Sequence, residues 1–327
     1  NYLKLKASTG LLGNFTAQGK NYPAYPTIST NSSAVFGENL VPVYDADYLY
    51  DPNLPWETVN SSEIGIEAEM FKSRLHFEMA YYSKKTQDLI VLLRPSGILP
   101  SLTNNGSIQN SGFEFVGSWN QKIGNDMSLT IGGNLTTFKN KVLHLEYPNR
   151  PNISSSEQTP NQAQTGYPIG YFYGLVADGL YQSYADILAS PVNTINGGGA
   201  KPGDIKYKDL DGDGIINDND KRMIGNPTPD FTYGINTTFK YKAFDVNIDF
   251  AGCYGNEVFR VWGTSEQKNS LYNYPKNYTE GWTGAATSNF VPIVNQKHLI
   301  NRAPSTYGIE DGSYFRIRNL NLGYTFM

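Results

Sequence analysis

A short acidic segment carries the clearest chemical pattern in this chain of 327 residues. Asp209, Asp211 and Asp213 alternate with other residues, and Gly214 follows them directly. Calcium prefers several hard oxygen ligands around a sharp turn, and calcium-binding loops place carboxylates at positions 1, 3 and 5 with glycine at position 6. The spacing therefore predicts a divalent cation site, and calcium is the ion that fits it best.

The other ligands of the predicted site follow directly along the chain. Ile215 would offer its backbone carbonyl at position 7, and Asn217 would bind at position 9, directly or through water. Asp220 stands at position 12, where helix-loop-helix proteins have the longer Glu. We expect a structural cation that orders a long loop otherwise lacking a hydrophobic core. The alternative is an Asp- and Gly-rich surface turn without an ion.

Groups suited to catalysis are sparse in the sequence. The three histidines, His76, His144 and His298, have no recognisable serine or cysteine nucleophile motif beside them, so we predict that the protein is not an enzyme. Two-carboxylate hydrolysis stays open because Asp and Glu are abundant. The single Cys253 excludes an intramolecular disulfide, and a net charge of −4 without a basic block gives nucleic-acid binding no support.

Period-two alternation predicts antiparallel β-strands. Ile66 and Met70, for example, alternate with Glu67 and Glu69. An apolar parity change near Asn319 predicts a β-bulge in the last strand. No apolar stretch approaches the roughly 20 residues that a membrane helix needs. The expected strands, about eight in number, lie near residues 2–9, 64–70, 75–81, 113–120, 127–136, 231–240, 244–250 and 314–326.

The connections between these strands alternate between tight and long. Compact soluble domains rarely tolerate unstructured loops beyond roughly 15 residues, whereas outer-membrane barrels combine short periplasmic turns with long extracellular loops. The sequence therefore predicts an all-β fold, an antiparallel up-and-down transmembrane β-barrel segment with long extracellular loops. The tight turns are Lys72–Ser73, Gln121–Asn125 and Lys242–Ala243, and the long connections are about 10–62, 83–111, 138–229 and 252–313.

The alternation also predicts which side chains meet the lipid bilayer, because one face of a barrel strand is apolar and the other lines a wet lumen. The residues expected to face lipid are Ile66, Met70, Phe77, Met79, Phe231 and Phe250. Those expected to face the lumen are Glu67, Glu69, Glu78, Asn247 and Asp249.

Several segments resemble the SusC/RagA family of TonB-linked outer-membrane proteins, in that family's order and over nearly the whole chain. The longest is the stretch 203–234, which contains the acidic loop and ends in Gly-Asn-Pro-Thr-Pro-Asp-Phe-Thr-Tyr-Gly. The resemblance implies that residues 1–327 form one segment of a larger barrel with a plugged lumen, of the 22-stranded class. The other matching segments are Tyr2–Gly10, Trp56–Thr58, Tyr81–Leu89, Asn110–Glu114, Gly170–Gly174 and Gly312–Tyr324.

The resemblance further implies a place in a bacterial outer membrane and active import of glycans or peptides. A SusD-like surface lipoprotein would cover the extracellular loops, and TonB would supply energy through an N-terminal region. The family's plug domain and terminal hairpin are not found in the sequence, which we therefore expect to be a fragment. The competing functions are a soluble calcium-binding β-rich adhesin and an outer-membrane hydrolase.

Aromatic residues in the long connections are candidates for contact with cargo, since their rings could stack on a sugar or a peptide. Packing inside a large loop, or against the lipoprotein, is the alternative for each of them. These residues are Trp262, Trp282, Tyr272, Tyr274 and Tyr278.

Overall fold

The main element of the computed structural model is an antiparallel sheet in which eight strands follow one path in chain order. This arrangement confirms the predicted all-β, up-and-down architecture. We number these strands β1 to β8, and their bounds are Tyr2–Asn14, Glu57–Met70, Leu75–Gln87, Ser107–Ile123, Met127–Thr137, Phe231–Tyr241, Phe244–Tyr254 and Tyr314–Tyr324. The structure describes residues 1–14, 25–49, 51, 53–93, 99–145, 150–151, 160–260, 276–294 and 298–326.

The tight and long connections lie at opposite ends of the sheet, as predicted, because successive strands run in opposite directions. We name the long connections L1 (15–56), L2 (88–106), L3 (138–230) and L4 (255–313). Most strands continue further than predicted, so L1, L2 and L4 are shorter than expected, while L3 has almost the predicted bounds. In β1 and β2, for example, pairing extends to Asn14, because the backbone ladder continues where the apolar alternation has stopped.

The register gives the sheet one apolar and one polar face. Directly opposed residues share a face, and the pairs Leu5–Ile66 and Ile66–Met79 begin an apolar row across β1 to β3. The neighbouring polar row places Glu67 beside Glu78. All the side chains assigned to lipid from the sequence lie on the apolar face, and all those assigned to the lumen lie on the polar face.

The predicted bulge in β8 is confirmed. Asp249 of β7 pairs with Asn319, whereas the next residue, Phe250, pairs with Ile317. Arg318 is therefore the extra residue of the bulge. Its insertion keeps the apolar residues before and after it on the same face of the sheet.

The described parts of L3 and L4 fold around a core, which corrects the expectation of a long loop without a hydrophobic core. Buried side chains of L3 and L4 form a common core. We call residues 171–225, 282–294 and 298–309 the outer subdomain. The sequence did not reveal it because its two halves are far apart in the chain. Core members include Leu175, Leu180, Ile205, Tyr207, Ile216 and Ile300.

Where the structure describes the long connections, they contain short strands, one helix and several 3₁₀ turns. A smaller core of Tyr48, Ile90 and Leu102 joins L1 to L2. Among the described residues, no helix has the length and apolar character needed to cross a membrane. The loop strands are Ile28–Phe36, Asn39–Ala46, Ile90–Leu93, Ser101–Asn104, Lys139–His144, Arg150–Pro151, Asn161–Ala163, Tyr171–Gly174, Ala177–Leu180, Val192–Asn193, Ile205–Tyr207, Ile215–Ile216, Arg222–Gly225, Glu257–Phe259 and Ile309–Asp311. The helix α1 is Tyr184–Leu188, and the 3₁₀ turns are Ile195–Gly197, Asp218–Asp220, Lys276–Glu280, Leu299–Arg302 and Thr306–Gly308.

Candidate functional site

The acidic loop brings three carboxylates together on the surface of the outer subdomain. Oxygen atoms of Asp209, Asp211 and Asp213 all lie within 4.8 Å of one another. The backbone N–H groups of Gly212 and Gly214 donate to the Asp209 carboxylate at 2.7 and 2.8 Å. A carboxylate offers about four lone-pair sites, so these hydrogen bonds leave capacity for a cation.

The electrostatics of the loop reflect this crowding. The Asp213 N–H that bonds to Asp211 lowers the pKa of the Asp211 carboxyl, but desolvation and repulsion from the neighbouring carboxylates together outweigh it. The pKa of Asp211 therefore lies above its usual value. At Asp209 the hydrogen bond from the Gly214 N–H holds the pKa of the carboxyl below its usual value. The cluster thus contains one carboxylate that is stabilised by the backbone and one that is repelled by its neighbours.

The remaining predicted ligands have partners within the loop. The buried Asp220 accepts the N–H of Leu210 at 2.7 Å and that of Asn217 at 2.8 Å. Asn217 in turn caps the 3₁₀ turn through the N–H of Asn219 at 2.7 Å. The amide of Asn217 also lies 3.4 Å from the Ile215 carbonyl. Asp220 therefore fastens the two ends of the loop by accepting backbone N–H groups, and it is not one of the three converging carboxylates. The site with all six ligands stays a prediction.

The candidate cargo aromatics fall into two groups. Trp282 is half-buried against the core of the outer subdomain, and its indole N–H donates to Gln182 at 3.1 Å. A Cβ at Gly203, whose φ is +92°, would lie 2.5 Å from the Trp282 ring. This packing favours the alternative of a loop-packing role for Trp282. Trp262, Tyr272 and Tyr274 lie outside the described residues, and Tyr278 lies in a 3₁₀ turn whose placement of that side chain is not described.

A buried polar cluster holds L4 against L3. Asp204 accepts hydrogen bonds from the Lys201 N–H at 2.8 Å and from the Asn301 amide at 3.0 Å, and His298 lies beside it. The Asn301 side-chain oxygen accepts the Ile205 N–H at 2.8 Å. This cluster could not be found in the sequence, because Asp204 is more than ninety residues away from His298 and Asn301 and no local pattern marks them.

The polar face of the sheet is hydrogen-bonded across strands. Thr238 donates to Asn247 at 2.6 Å, and Thr130 donates to Asn120 at 2.8 Å. Near the opposite edge, the Lys6 ammonium lies 2.7 Å from the Glu78 carboxylate. The polar face thus combines an ion pair near the β1 edge with hydrogen bonds between amides and hydroxyls on β4 to β7.

Known families and proteins are similar to this chain in sequence and fold. Residues 3–327 match the family described as TonB dependent receptor-like, beta-barrel. TonB-dependent receptor P3 of Formosa agariphila is 32% identical over 334 residues, which cover 98% of this chain and 32% of that protein. TonB-dependent receptor SusC of Bacteroides thetaiotaomicron is 23% identical over 339 residues, covering 99% of this chain and 32% of SusC. The chain spans about a third of the length of these relatives.

Solved structures share the fold. The RagAB peptide transporter superimposes with a TM-score of 0.75 at 21% identity, covering 98% of this chain and 34% of that one. The RagAB peptide importer in the closed-closed state gives a TM-score of 0.76 at 21% identity, covering 99% of this chain and 34% of that one. The eight-stranded sheet and its folded outer connections are therefore part of a known barrel architecture.

Proposed function

Because this chain belongs to the TonB dependent receptor-like β-barrel family, among its SusC/RagA-like members, we propose that its parent protein actively imports nutrients across the outer membrane. Proteins of this family are outer-membrane proteins, so the apolar face of β1 to β8 meets lipid and the polar face lines the lumen. One observation carries the proposal. A polar wall that is continuous across eight strands suits a lumen through which a polar solute passes.

The partners and cargo belong to the same proposal. The cargo is a glycan or a peptide, a SusD-like lipoprotein covers the extracellular side, and TonB supplies energy through a part of the protein outside residues 1–327. The outer subdomain supports the lipoprotein assignment, since a folded body with its own core offers a fixed surface for another protein. Residues 1–327 act here as one barrel segment, without a catalytic role.

Uptake measurements in the native bacterium test this function. Strains lacking the full-length gene or the TonB gene should both lose uptake of fluorescently labelled oligosaccharide or peptide mixtures too large for porins. Uptake of glucose, which is small enough for porins, serves as the control and should not change. Equal uptake of every large probe by wild-type and both deletion strains would contradict the proposal, as would release of new reducing ends by the purified protein.

We also propose that the acidic loop binds calcium, with a structural role. The convergence of the Asp209, Asp211 and Asp213 carboxylates supports it, because a cation would remove their mutual repulsion. The outer subdomain already has a hydrophobic core, so the ion would fix the conformation of residues 209–220 at its surface and need not order the whole of L3.

A further inference from the structure

Three 3₁₀ turns of the outer subdomain line a half-open cavity of about 990 Å³. Ile195–Gly197 and Asp218–Asp220 come from L3, and Leu299–Arg302 comes from L4. This volume is at the upper end of the range of about 300–1,000 Å³ that is typical of small-ligand sites. The lining includes Asn217 and Asp218 from the end of the acidic loop, but none of the three converging carboxylates and no residue of the main sheet. Other residues of the lining include Thr194, Asn196, Lys221, Leu299 and Arg302.

The wall of the cavity holds an unusual backbone conformation. Asn196 has a φ of +51°, and the three glycines that follow it also have positive φ. The side chain of Asn196 donates to the Leu299 carbonyl at 2.8 Å, which bridges L3 and L4 across the wall. Non-glycine residues held in the left-handed region concentrate at binding sites, where the surrounding structure maintains them. The cavity wall is therefore fixed from both loops.

The cavity lining carries two cationic side chains, Lys221 and Arg302, and one anionic side chain, Asp218. Lys221 pairs with Asp218 at 2.7 Å, but the Asp218 side chain is 84% exposed while that of Lys221 is 25% exposed. Because the Asp218 carboxylate is solvent-exposed and its attraction to Lys221 is screened by water, a ligand carboxylate can compete with it for the Lys221 ammonium. Arg302 lines the same cavity and already has a partner within the protein, but its guanidinium carries five N–H donors, so it can also bind a ligand carboxylate.

The other lining groups fit a peptide better than a sugar. The Asn196 NH2 donates to Leu299 and the Asn217 oxygen accepts from Asn219, which leaves the Asn196 oxygen as an acceptor and the Asn217 NH2 as a donor for a peptide backbone. Ile195, Leu299 and Pro304 supply apolar surface for an aliphatic side chain. Among the described residues that line the cavity, none has an aromatic ring on which the face of a pyranose could stack.

We propose that this cavity binds a short peptide through its terminal carboxylate, with Lys221 and Arg302 as the carboxylate-binding residues. The proposal deepens the import function and rests on it, since it assigns the cargo to the peptide class and gives it a contact site. The aliphatic side chains of the peptide pack on Leu299, and its backbone bonds to the two asparagine amides.

Calorimetry on the purified full-length protein in detergent tests the site, with trialanine, C-terminally amidated trialanine and maltotriose as probes. Trialanine should bind, the amide should bind about tenfold more weakly because it lacks the charge-assisted hydrogen bonds, and maltotriose should not bind. Lys221→Gln should weaken trialanine binding by about the same factor. Lys208→Gln, which removes an exposed lysine elsewhere on the outer subdomain, is the matched control and should bind like wild type.

A second variant keeps the test independent of charge effects on folding. Leu299→Trp fills the cavity from a side chain that is already 44% exposed, and it should abolish trialanine binding while circular dichroism and thermal unfolding stay unchanged. Trialanine binding that is equal in wild type, Lys221→Gln and Leu299→Trp would overturn the site, and preferential binding of maltotriose would overturn the peptide class. If trialanine does not bind but uptake still depends on TonB, this inference fails and the import function stands.

Discussion

The imidazole Nδ1 of His298 lies 2.5 Å from the carboxylate Oδ1 of Asp204, and the two side chains are 6% and 2% exposed. One residue belongs to L4 and the other to L3. Asn301, from the same 3₁₀ turn region of L4, donates to the same carboxylate oxygen at 3.0 Å. This buried contact is the polar counterpart of the hydrophobic core, and together they make one body from two connections.

Removal of the Asp204 carboxylate should open the outer subdomain. Asp204→Ala leaves buried donors on Asn301 and the Lys201 backbone without their acceptor, and each buried donor left unsatisfied costs about 1–3 kcal/mol. Hydrogen exchange of L3 amides in the full-length protein measures the opening free energy. The control is Asp178→Ala, which removes an exposed pair with Lys208 and should cost about 1 kcal/mol or less. Equal protection of L3 amides in both variants would contradict a locking role for Asp204.

Calcium should bind the acidic loop of the full-length protein in detergent. Asp211→Ala removes one of the three converging carboxylates and should abolish the heat of binding in a calorimetric titration. Asp178→Asn changes a carboxylate outside the loop and should leave binding intact. The hypothesis fails if the wild-type protein takes up no calcium at millimolar concentrations, or if Asp211→Ala binds as tightly as wild type.

A matched pair of substitutions on β7 tests the assignment of the two faces. Ile248 lies on the apolar face and Asn247 on the polar face, opposite Thr237 and Thr238 of β6. An arginine on the lipid face near the midplane costs about 2–4 kcal/mol, so Ile248→Arg should reduce the free energy of unfolding by that amount. Asn247→Arg should have little effect. Urea titrations of barrels folded into lipid vesicles compare the variants, and a larger loss for Asn247→Arg would reverse the assignment.

We predict that assembly of the barrel needs the extra residue of the bulge in β8, because it keeps the apolar residues on both sides of it on the lipid face. The side chain of that residue should not be needed. Deletion of Arg318 forces either Ile317 or Leu320 onto the polar face, since a one-residue shift turns every following side chain over. The deletion should therefore prevent assembly, whereas Arg318→Ala should assemble normally. Heat-modifiable migration of the barrel in gel electrophoresis distinguishes these outcomes. Normal assembly of the deletion variant would show that the bulge is unnecessary.

The strands and their faces could be predicted from sequence because alternation is a local property. The pairs Glu67–Glu78 and Phe250–Ile235 follow from period two and the order of the strands. The ends of the strands were less predictable. Beyond Gly10, β1 still pairs with β2, but the paired residues there do not alternate in polarity, so only backbone hydrogen bonds mark the continuation.

The outer subdomain could not be predicted, because its contacts join distant parts of the chain. Asp204 and His298 have no shared motif, and the Ala177 N–H bonds to Thr306 across 129 positions. The acidic loop was found because its spacing is local. The role of Trp282 could not be predicted from its residue type, because an aromatic residue in a polar loop can contact cargo or pack inside the loop. Only its neighbours in the structure distinguish the two roles. The cargo roles of the other loop aromatics stay predictions.

The joint core of L3 and L4 also constrains the order of events during biogenesis. L3 leaves the barrel after β5, but Leu175 accepts the N–H of Thr306 and donates to Pro304, and those residues follow β7. L3 must therefore wait, with its leucines, isoleucines and tyrosines uncovered, until β6, β7 and L4 have been delivered to the outer surface. Contacts of such long sequence separation form slowly. L3 is accordingly the segment for which a periplasmic chaperone has the most apolar surface to protect before insertion of the barrel is complete.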